Sequence, residues 1–292
     1  LFRTLFPYTT LFRSDFKAVT AVDLGRAAAV EAMARSGVEP GEIDQAIFGN
    51  IATPPDAANI GRVIALRAGL PKEKPAHSVS RNCASGIESI VQAARLIQTG
   101  EADVVLAGGA ENMSLIPFLY REDVKAVLVE AGMAKTAGAR IGAFKKMPWE
   151  ELLNPVIGIK LGLTDPVCGL NMGETAELLA KEGGLTREMQ DAFALRSHQR
   201  AQAARERLAE EIVAVPLPPA YDKVATLDNG VREGQTMEAL AKLRPFFDRA
   251  YGSVTAGNSS QITDGAAAVV VASEEFVAKR KLAPLARVAG WG

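Results

Sequence analysis

From Val22 onward, short apolar runs alternate with helical stretches, and this alternation limits the possible folds more than any other feature. DLGRAAAVEAMARSG (23–37) reads as a helix that stops at Gly37. QAIFGN (45–50) reads as a short strand, IGRVIALRAGL (60–70) as a helix, and HSVSRN (77–82) as a strand entering a turn at Cys83. From Ala84, apolar residues recur at Ile87, Ile90, Val91, Ala94 and Ile97, which is helical spacing. DVVLAGG (103–109) is a buried strand ending in glycines. Strands separated by helices of this length pair in parallel with the helices packed on the sheet, so the fold class is α/β.

The texture changes twice along the chain. Residues 116–250 hold longer helices, a proline-rich connection (VPLPPAYD, 215–222) and basic stretches, and read as an inserted domain. SVTAGNSSQITDGAAAVVVAS (253–273) returns to strand and tight-turn texture, so the α/β domain is expected over 15–115 and 251–280. APLARVAGW opens a further strand, expected over 283–292. The leader LFRTLFPYTTLFRS (1–14) repeats Thr-Leu-Phe and lacks the Ala/Gly/Val texture that follows. It has neither the apolar core nor the cleavage site of a signal peptide, and it reads as foreign to the fold.

A net charge of −1 over 292 residues gives no reason to expect nucleic acid as a partner. Two cysteines make no disulfide framework, and with two histidines they match no zinc-ligand spacing, so no metal is expected. No apolar run is long enough to span a membrane, and a reducing, cytoplasmic setting is the default expectation.

Cys83, in RNCASGIESI (81–90), lies between a strand and an apolar helix. A thiolate is the reactive form of cysteine, and a helix N-terminus favours an anion through its dipole and free N–H groups. Ala84, Ser85 and Gly86 are small enough to let a substrate reach the sulfur. A buried structural thiol is the competing reading, and this local context alone does not choose between them.

Five segments in register decide it. RNCASG, AGGAENMS (107–114), NMGETAE (171–177), AKLRPFFD (241–248) and SVTAGNSSQITDGAAAVV (253–270) resemble the thiolase family in order and spacing, as does DAFALRSHQRA (191–201) between them. GIKLGLTDPVCGLNMGETAE (158–177) looks most like the fatty-acid-oxidation branch, whose members resemble the β-subunit of a trifunctional complex. The resemblance implies a layered α/β/α fold, here an N-terminal half with its inserted loop domain and a second half almost entirely missing. It implies acetyl-CoA C-acyltransferase chemistry, the thiolytic cleavage of 3-ketoacyl-CoA, with coenzyme A as substrate and no other cofactor. The alternatives are biosynthetic acetoacetyl-CoA formation, which is the same chemistry reversed, and a non-catalytic dimerising or CoA-binding module.

By the same resemblance Cys83 matches the acyl-accepting nucleophile. Arg232, Phe247, Ala256 and Ser260 match positions that hold the CoA nucleotide and pantetheine, and Met172 a pocket-lining methionine. Ala239 stands where many relatives carry a CoA-contacting Ser, and Asn171 where some carry His. The family's Gly-His-Pro, Cys-x-Gly and Asn-Glu-Ala-Phe motifs do not occur in these 292 residues, and its first-strand Arg-Thr-Pro is also lacking. His77 and His198 read as structural, Cys168 as a core or loop thiol, and Glu111, Asp264 and Glu174 as polar core anchors. The resemblance further implies CoA thioesters, a homodimer or higher oligomer, and a hydratase/dehydrogenase α-subunit as partners. The basic stretch Lys135–Lys146 with Trp149, within 124–160, reads either as a solvated face or as a membrane- or partner-docking surface.

Overall fold

The computed structural model describes residues 14–292, which divide into two compact units. The first joins the chain up to Leu115 to Arg187–Arg244 and Thr255–Gly292, and the second joins Ile116–Thr186 to Pro245–Val254.

The first unit is built on one sheet. Strands β1 (Gln45–Gly49), β2 (Ala76–Val79), β3 (Val104–Asn112) and β4 (Asp264–Ala272) lie in the order β2-β1-β3-β4. β1 runs parallel to β2 and β3, as the helical connections require, whereas β4 returns antiparallel to β3 with Asn112 opposite Asp264. The helices are α1 (Ala21–Ser36), α2 (Ile60–Arg67) and α3 (Ser85–Gln98). α1 starts where the Thr20 hydroxyl accepts from the Asp23 N–H, and it stops at Gly37, whose φ of 69° is left-handed.

The two-residue period of the strands sorts side chains between the faces. Ala46, Phe48, Val104, Leu106, Ala266 and Ala268 join the core beneath α1 and α2. Ile47, Val79, Val105, Ala107, Val269 and Val271 join Ala93 of α3 on the opposite face. Helices therefore cover both faces, giving three α/β/α layers. Each fully buried Phe, Leu or Ile contributes about 1.5–3 kcal/mol of hydrophobic stabilisation.

The second unit contains helices Glu122–Met133, Ala137–Phe144 and Met172–Glu182 and a short ribbon of Phe118–Leu119 with Val156–Ile157. The last of these helices opens with a capping box. Asn171 accepts from Gly173, and the Glu174 carboxylate accepts from the Asn171 N–H.

Three expectations need amendment. The stretch 116–250 is divided rather than kept together, because helix Arg187–Ala203 packs into the first unit. Its buried Asp191 takes hydrogen bonds from Arg187 and Asn258. Residues 283–292 form no strand, since no neighbouring strand among the described residues pairs with them. Of the leader, residues 1–13 lie outside the described residues, but Ser14 is buried and its hydroxyl bonds the Asp264 carboxylate.

α3 approaches the sheet closely because glycines face it. A Cβ on Gly49 at the end of β1 would lie 2.5 Å from the Ser85 carbonyl carbon, and one on Gly109 of β3 would lie 3.5 Å from the Gly86 Cα. Gly49→Ala should therefore cost about 1–3 kcal/mol by overpacking against backbone. Gly86→Ala, where a Cβ meets nothing within 4 Å, should be neutral or add up to about 1 kcal/mol of helix stability. Urea midpoints distinguish the two, and an undiminished midpoint for Gly49→Ala contradicts this packing.

Candidate active site

The turn that carries Cys83 is held by its neighbours. Asn82 takes a left-handed φ of 48°, and the Ser85 hydroxyl accepts from the Arg81 N–H at 2.8 Å while donating to the Asn82 carbonyl at 2.7 Å. Cys83 is exposed and sits one residue before Ala84, the first cap position of α3. Alanine offers no side-chain cap, and the N–H groups of Gly86 and Ile87 find no hydrogen-bond partner among the described residues. The thiol is thus next to unpaired donors at the positive end of a fourteen-residue helix.

A hydrogen-bonded chain runs from this turn to β1. Arg81 pairs with Glu88 at 2.7 Å, and Gln92 donates to Glu88 at 3.0 Å. Gln92 Oε1 meets His77 Nε2 at 3.1 Å, and His77 Nδ1 meets Gln45 at 3.0 Å. Because Gln92 spends its N–H on Glu88, its oxygen takes the Nε2 proton and leaves Nδ1 to accept from Gln45. The hydrogen bond from Gln92 and the Arg81 guanidinium hold Glu88 below the usual carboxylate range. His77 is a satisfied strand residue with both ring nitrogens engaged.

The ladder register places Cys83 beside other polar groups. Val79, Gly49 and Gly109 lie in one row across the sheet, so Asn50, Cys83, Glu111 and Asp264 share its edge at the carboxyl ends of the parallel strands. Ligands of open α/β sheets bind at that edge. Glu111 accepts from the N–H groups of Ile51 and Ala52 and from the Asn50 amide. Burial pushes its carboxyl up, helped by the like charge of Asp264, while those three donors pull the other way. Asp264 is fully buried and also accepts from the Ser114 N–H at 2.9 Å and hydroxyl at 2.6 Å. Both act as anchors, as expected. Glu174 instead serves as an exposed cap, and Glu177 is the buried carboxylate of that helix.

Three of the expected CoA contacts come together in the first unit. Ala256 and Ser260 are exposed on one loop, and Gln261 at its end donates to the Gly230 carbonyl at 2.9 Å, two residues from exposed Arg232. The Arg232 N–H donates to His198 Nδ1 at 3.3 Å, which gives that half-buried histidine a structural task. In the second unit Met172 and Phe247 are neighbours, since the Phe247 ring lies directly on the backbone of Gly173. Cys168 lies exposed in a loop where Asp165 accepts from its N–H at 3.0 Å, and the thiol faces that carboxylate.

Sequence reading missed Asn50, Glu177, Asp191 and Asn258. Glu177 takes the N–H groups of Ser253 and Val254 at 2.8 Å each. Asp191 carries one readable signal, its i, i+4 spacing from Arg187, with which it pairs at 2.7 Å.

The family model for "Thiolase, N-terminal domain" matches residues 3–275. The chain belongs to the thiolase family. The match begins inside the leader that reads as foreign. Among curated thiolases it is 42% identical over 272 residues to the 3-ketoacyl-CoA thiolase of Yersinia enterocolitica, and 39% to that of Serratia proteamaculans. Each alignment covers 92% of this chain and 61% of the relative's length. The structure superposes on human mitochondrial 3-ketoacyl-CoA thiolase in complex with CoA with a TM-score of 0.81 at 34% identity. That alignment covers 97% of this chain and 66% of the human chain. Bacillus anthracis acetyl-CoA acetyltransferase gives the same TM-score and identity over 98% and 68%. The three-layered α/β/α arrangement is therefore the thiolase fold.

Both thiols are exposed, so access alone does not separate them. Cys83 directly precedes the N–H groups that open α3, which are unpaired among the described residues, while the Cys168 thiol faces the Asp165 carboxylate. Iodoacetamide should label Cys83 several-fold faster at neutral pH, read by peptide mass spectrometry. Equal or faster labelling at Cys168 contradicts an activated Cys83.

Proposed function

We propose that the chain carries the acyl-accepting part of a 3-ketoacyl-CoA thiolase. The placement of exposed Cys83 beside the unpaired N–H groups that open α3 carries this reading. In the proposed reaction the Cys83 sulfur attacks the C3 carbonyl of a 3-ketoacyl-CoA. The C2–C3 bond breaks, and its electron pair leaves on the acetyl-CoA carbon, which takes up a proton. The shortened acyl group stays as a thioester on sulfur until the thiol of a second CoA attacks it and releases Cys83. Covalent catalysis thereby divides one difficult cleavage into two transfers.

Coenzyme A enters as substrate. In this reading Arg232 meets the phosphates or adenine of CoA, Phe247, Ala256 and Ser260 contact its nucleotide and pantetheine, and Met172 is a pocket-lining residue. The curated relatives' shared name, 3-ketoacyl-CoA thiolase, supports the degradative direction and a place in fatty-acid β-oxidation. A cytoplasmic, homo-oligomeric state belongs to the same proposal. β2 and β4 leave strand edges unpaired among the described residues, as a further strand or second copy would use. A hydratase/dehydrogenase subunit is proposed as partner through the branch resemblance. Peripheral membrane contact through 124–160 is supported by exposed Met133, Ile141 and Trp149 beside Lys135 and Lys145. Lys146 is partly neutralised by Glu130 at 2.7 Å. Flotation with anionic vesicles that weakens with salt is the check on that contact, and no binding returns the segment to a solvated face. No helix among the described residues is long and apolar enough to cross a membrane.

General-base catalysis typically contributes about 10²–10⁴-fold. His77 has both ring nitrogens engaged, and His198 Nδ1 is taken by Arg232. Acetyl-CoA should therefore release at most one equivalent of CoA per 292-residue chain, slowly and without steady-state thiolysis of acetoacetyl-CoA. Cys83→Ala should abolish the release. CoA release that survives Cys83→Ala overturns the assignment, and no release from the unaltered chain supports the non-catalytic module.

A further inference from the structure

The loop that carries Ala256 and Ser260 is fixed by a closed circuit of buried and half-buried groups, all within the first unit. Asp191 is 2% exposed. One of its carboxylate oxygens accepts from Arg187 Nε at 2.7 Å and the other from Asn258 Nδ2 at 2.9 Å. Asn258 Oδ1 in turn accepts from the Thr255 N–H at 2.7 Å. Arg187 also donates to the carbonyls of Leu240 at 2.6 Å and Leu243 at 3.1 Å. Gly257 sits against the side chains of the same two leucines, where an added Cβ would lie 2.6 and 2.5 Å away. The circuit therefore runs from Arg187 through Leu240 and Leu243 to Gly257, then through Asn258 and Asp191 back to Arg187. Inside the loop, Thr255 is 1% exposed, its hydroxyl accepts from the Gly257 N–H at 3.2 Å, and its carbonyl accepts from the Ser259 hydroxyl at 2.6 Å. Between Thr255 and Ser260, only Ala256, Ser259 and Ser260 are left exposed.

We propose that Asp191 and Asn258 are positioning residues for coenzyme A. They do not touch it, but their hydrogen bond fixes the loop whose exposed face receives the pantetheine arm. This rests on the CoA reading of Ala256 and Ser260. The donors and acceptors match in only one sense: Asn258 gives its N–H₂ to Asp191 and its oxygen to Thr255. In Asp191→Asn the new amide turns its oxygen to Arg187 and its N–H₂ to Asn258. Asn258 must then either face it donor to donor or flip and set its own N–H₂ against the Thr255 N–H. In Asn258→Asp two carboxylates meet in a buried site. The exchanged pair, Asp191→Asn with Asn258→Asp, restores the bonds that link Arg187, the pair and the Thr255 N–H. The amide then at position 191 donates to the carboxylate at position 258 and accepts from Arg187, while that carboxylate accepts from the Thr255 N–H. A role in stability alone and a role in positioning therefore differ in what the exchange rescues.

The test is calorimetric titration of the 292-residue chain with CoA, paired with hydrogen exchange at the Thr255 and Gly257 amides. Each single substitution should weaken CoA by roughly tenfold, the effect of about one lost hydrogen bond, and speed exchange at both amides but not in β4. The exchanged pair should return affinity to within about threefold of the unaltered chain. Ser260→Ala and Arg232→Ala should weaken CoA without changing exchange at Thr255. Single substitutions that leave the affinity of the folded chain unchanged overturn the positioning role, as does an exchanged pair that recovers thermal stability but not affinity. CoA binding that is indifferent to Ser260→Ala and Arg232→Ala overturns the CoA reading itself, and so does an unaltered chain without measurable CoA binding. In either case the positioning proposal falls with it.

Discussion

The close approach of α3 to the sheet is the contact on which the site depends. Gly49 and Gly109 have no side chains, so Ser85 and Gly86 rest almost on the strand backbones. That contact fixes where the helix begins and so where its unpaired N–H groups lie. Ser85 then ties Arg81 and Asn82, and the intervening cysteine has little freedom to be anywhere but at the helix start. A larger residue at Gly49 would lift the first turn and move the sulfur away from the rest of the strand-end groups.

The same edge of the sheet must satisfy several polar groups removed from water. Asp264 collects Ser14 and both donors of Ser114, Asn112 donates to the carbonyls of Phe16 and Val19, and Glu111 gathers the N–H groups of Ile51 and Ala52. Buried acceptors left without partners cost about 1–3 kcal/mol each, so these bonds define the shape of the strand ends. They bring the start of β4, and with it the loop that precedes β4, to the edge where Cys83 lies. The route from sequence to site is thus a topological one: an antiparallel return strand delivers the proposed CoA loop to the carboxyl ends of parallel strands.

Local pattern made the α/β domain legible. Gly37 ends α1, apolar runs mark β1 to β4, and helical spacing after Ala84 marks α3, because each signal acts over a few residues. The turn that carries Cys83 was legible for the same reason, whereas its exposure is visible only in the structure. The division of 116–250 was not, since it depends on Asp191 meeting Asn258, residues 67 positions apart. Glu174 reads as a core anchor although Glu177 is the buried carboxylate, because both lie in the first turns of one helix and only packing says which faces inward. The strand expected over 283–292 had the right composition, but a strand is made by its neighbour, and composition does not supply one. The match to thiolases begins at residue 3, although local texture set the leader apart, so family likeness and local composition carry different information there.

The central claim is that the sulfur held at the start of α3 takes the acyl group. Peptide mapping by mass spectrometry after incubation with an acyl-CoA thioester tests it most directly. The account predicts a hydroxylamine-labile acyl group on the peptide carrying Cys83 and none on the peptide carrying Cys168. Acylation at Cys168, equal acylation of both thiols, or none on Cys83 would contradict it.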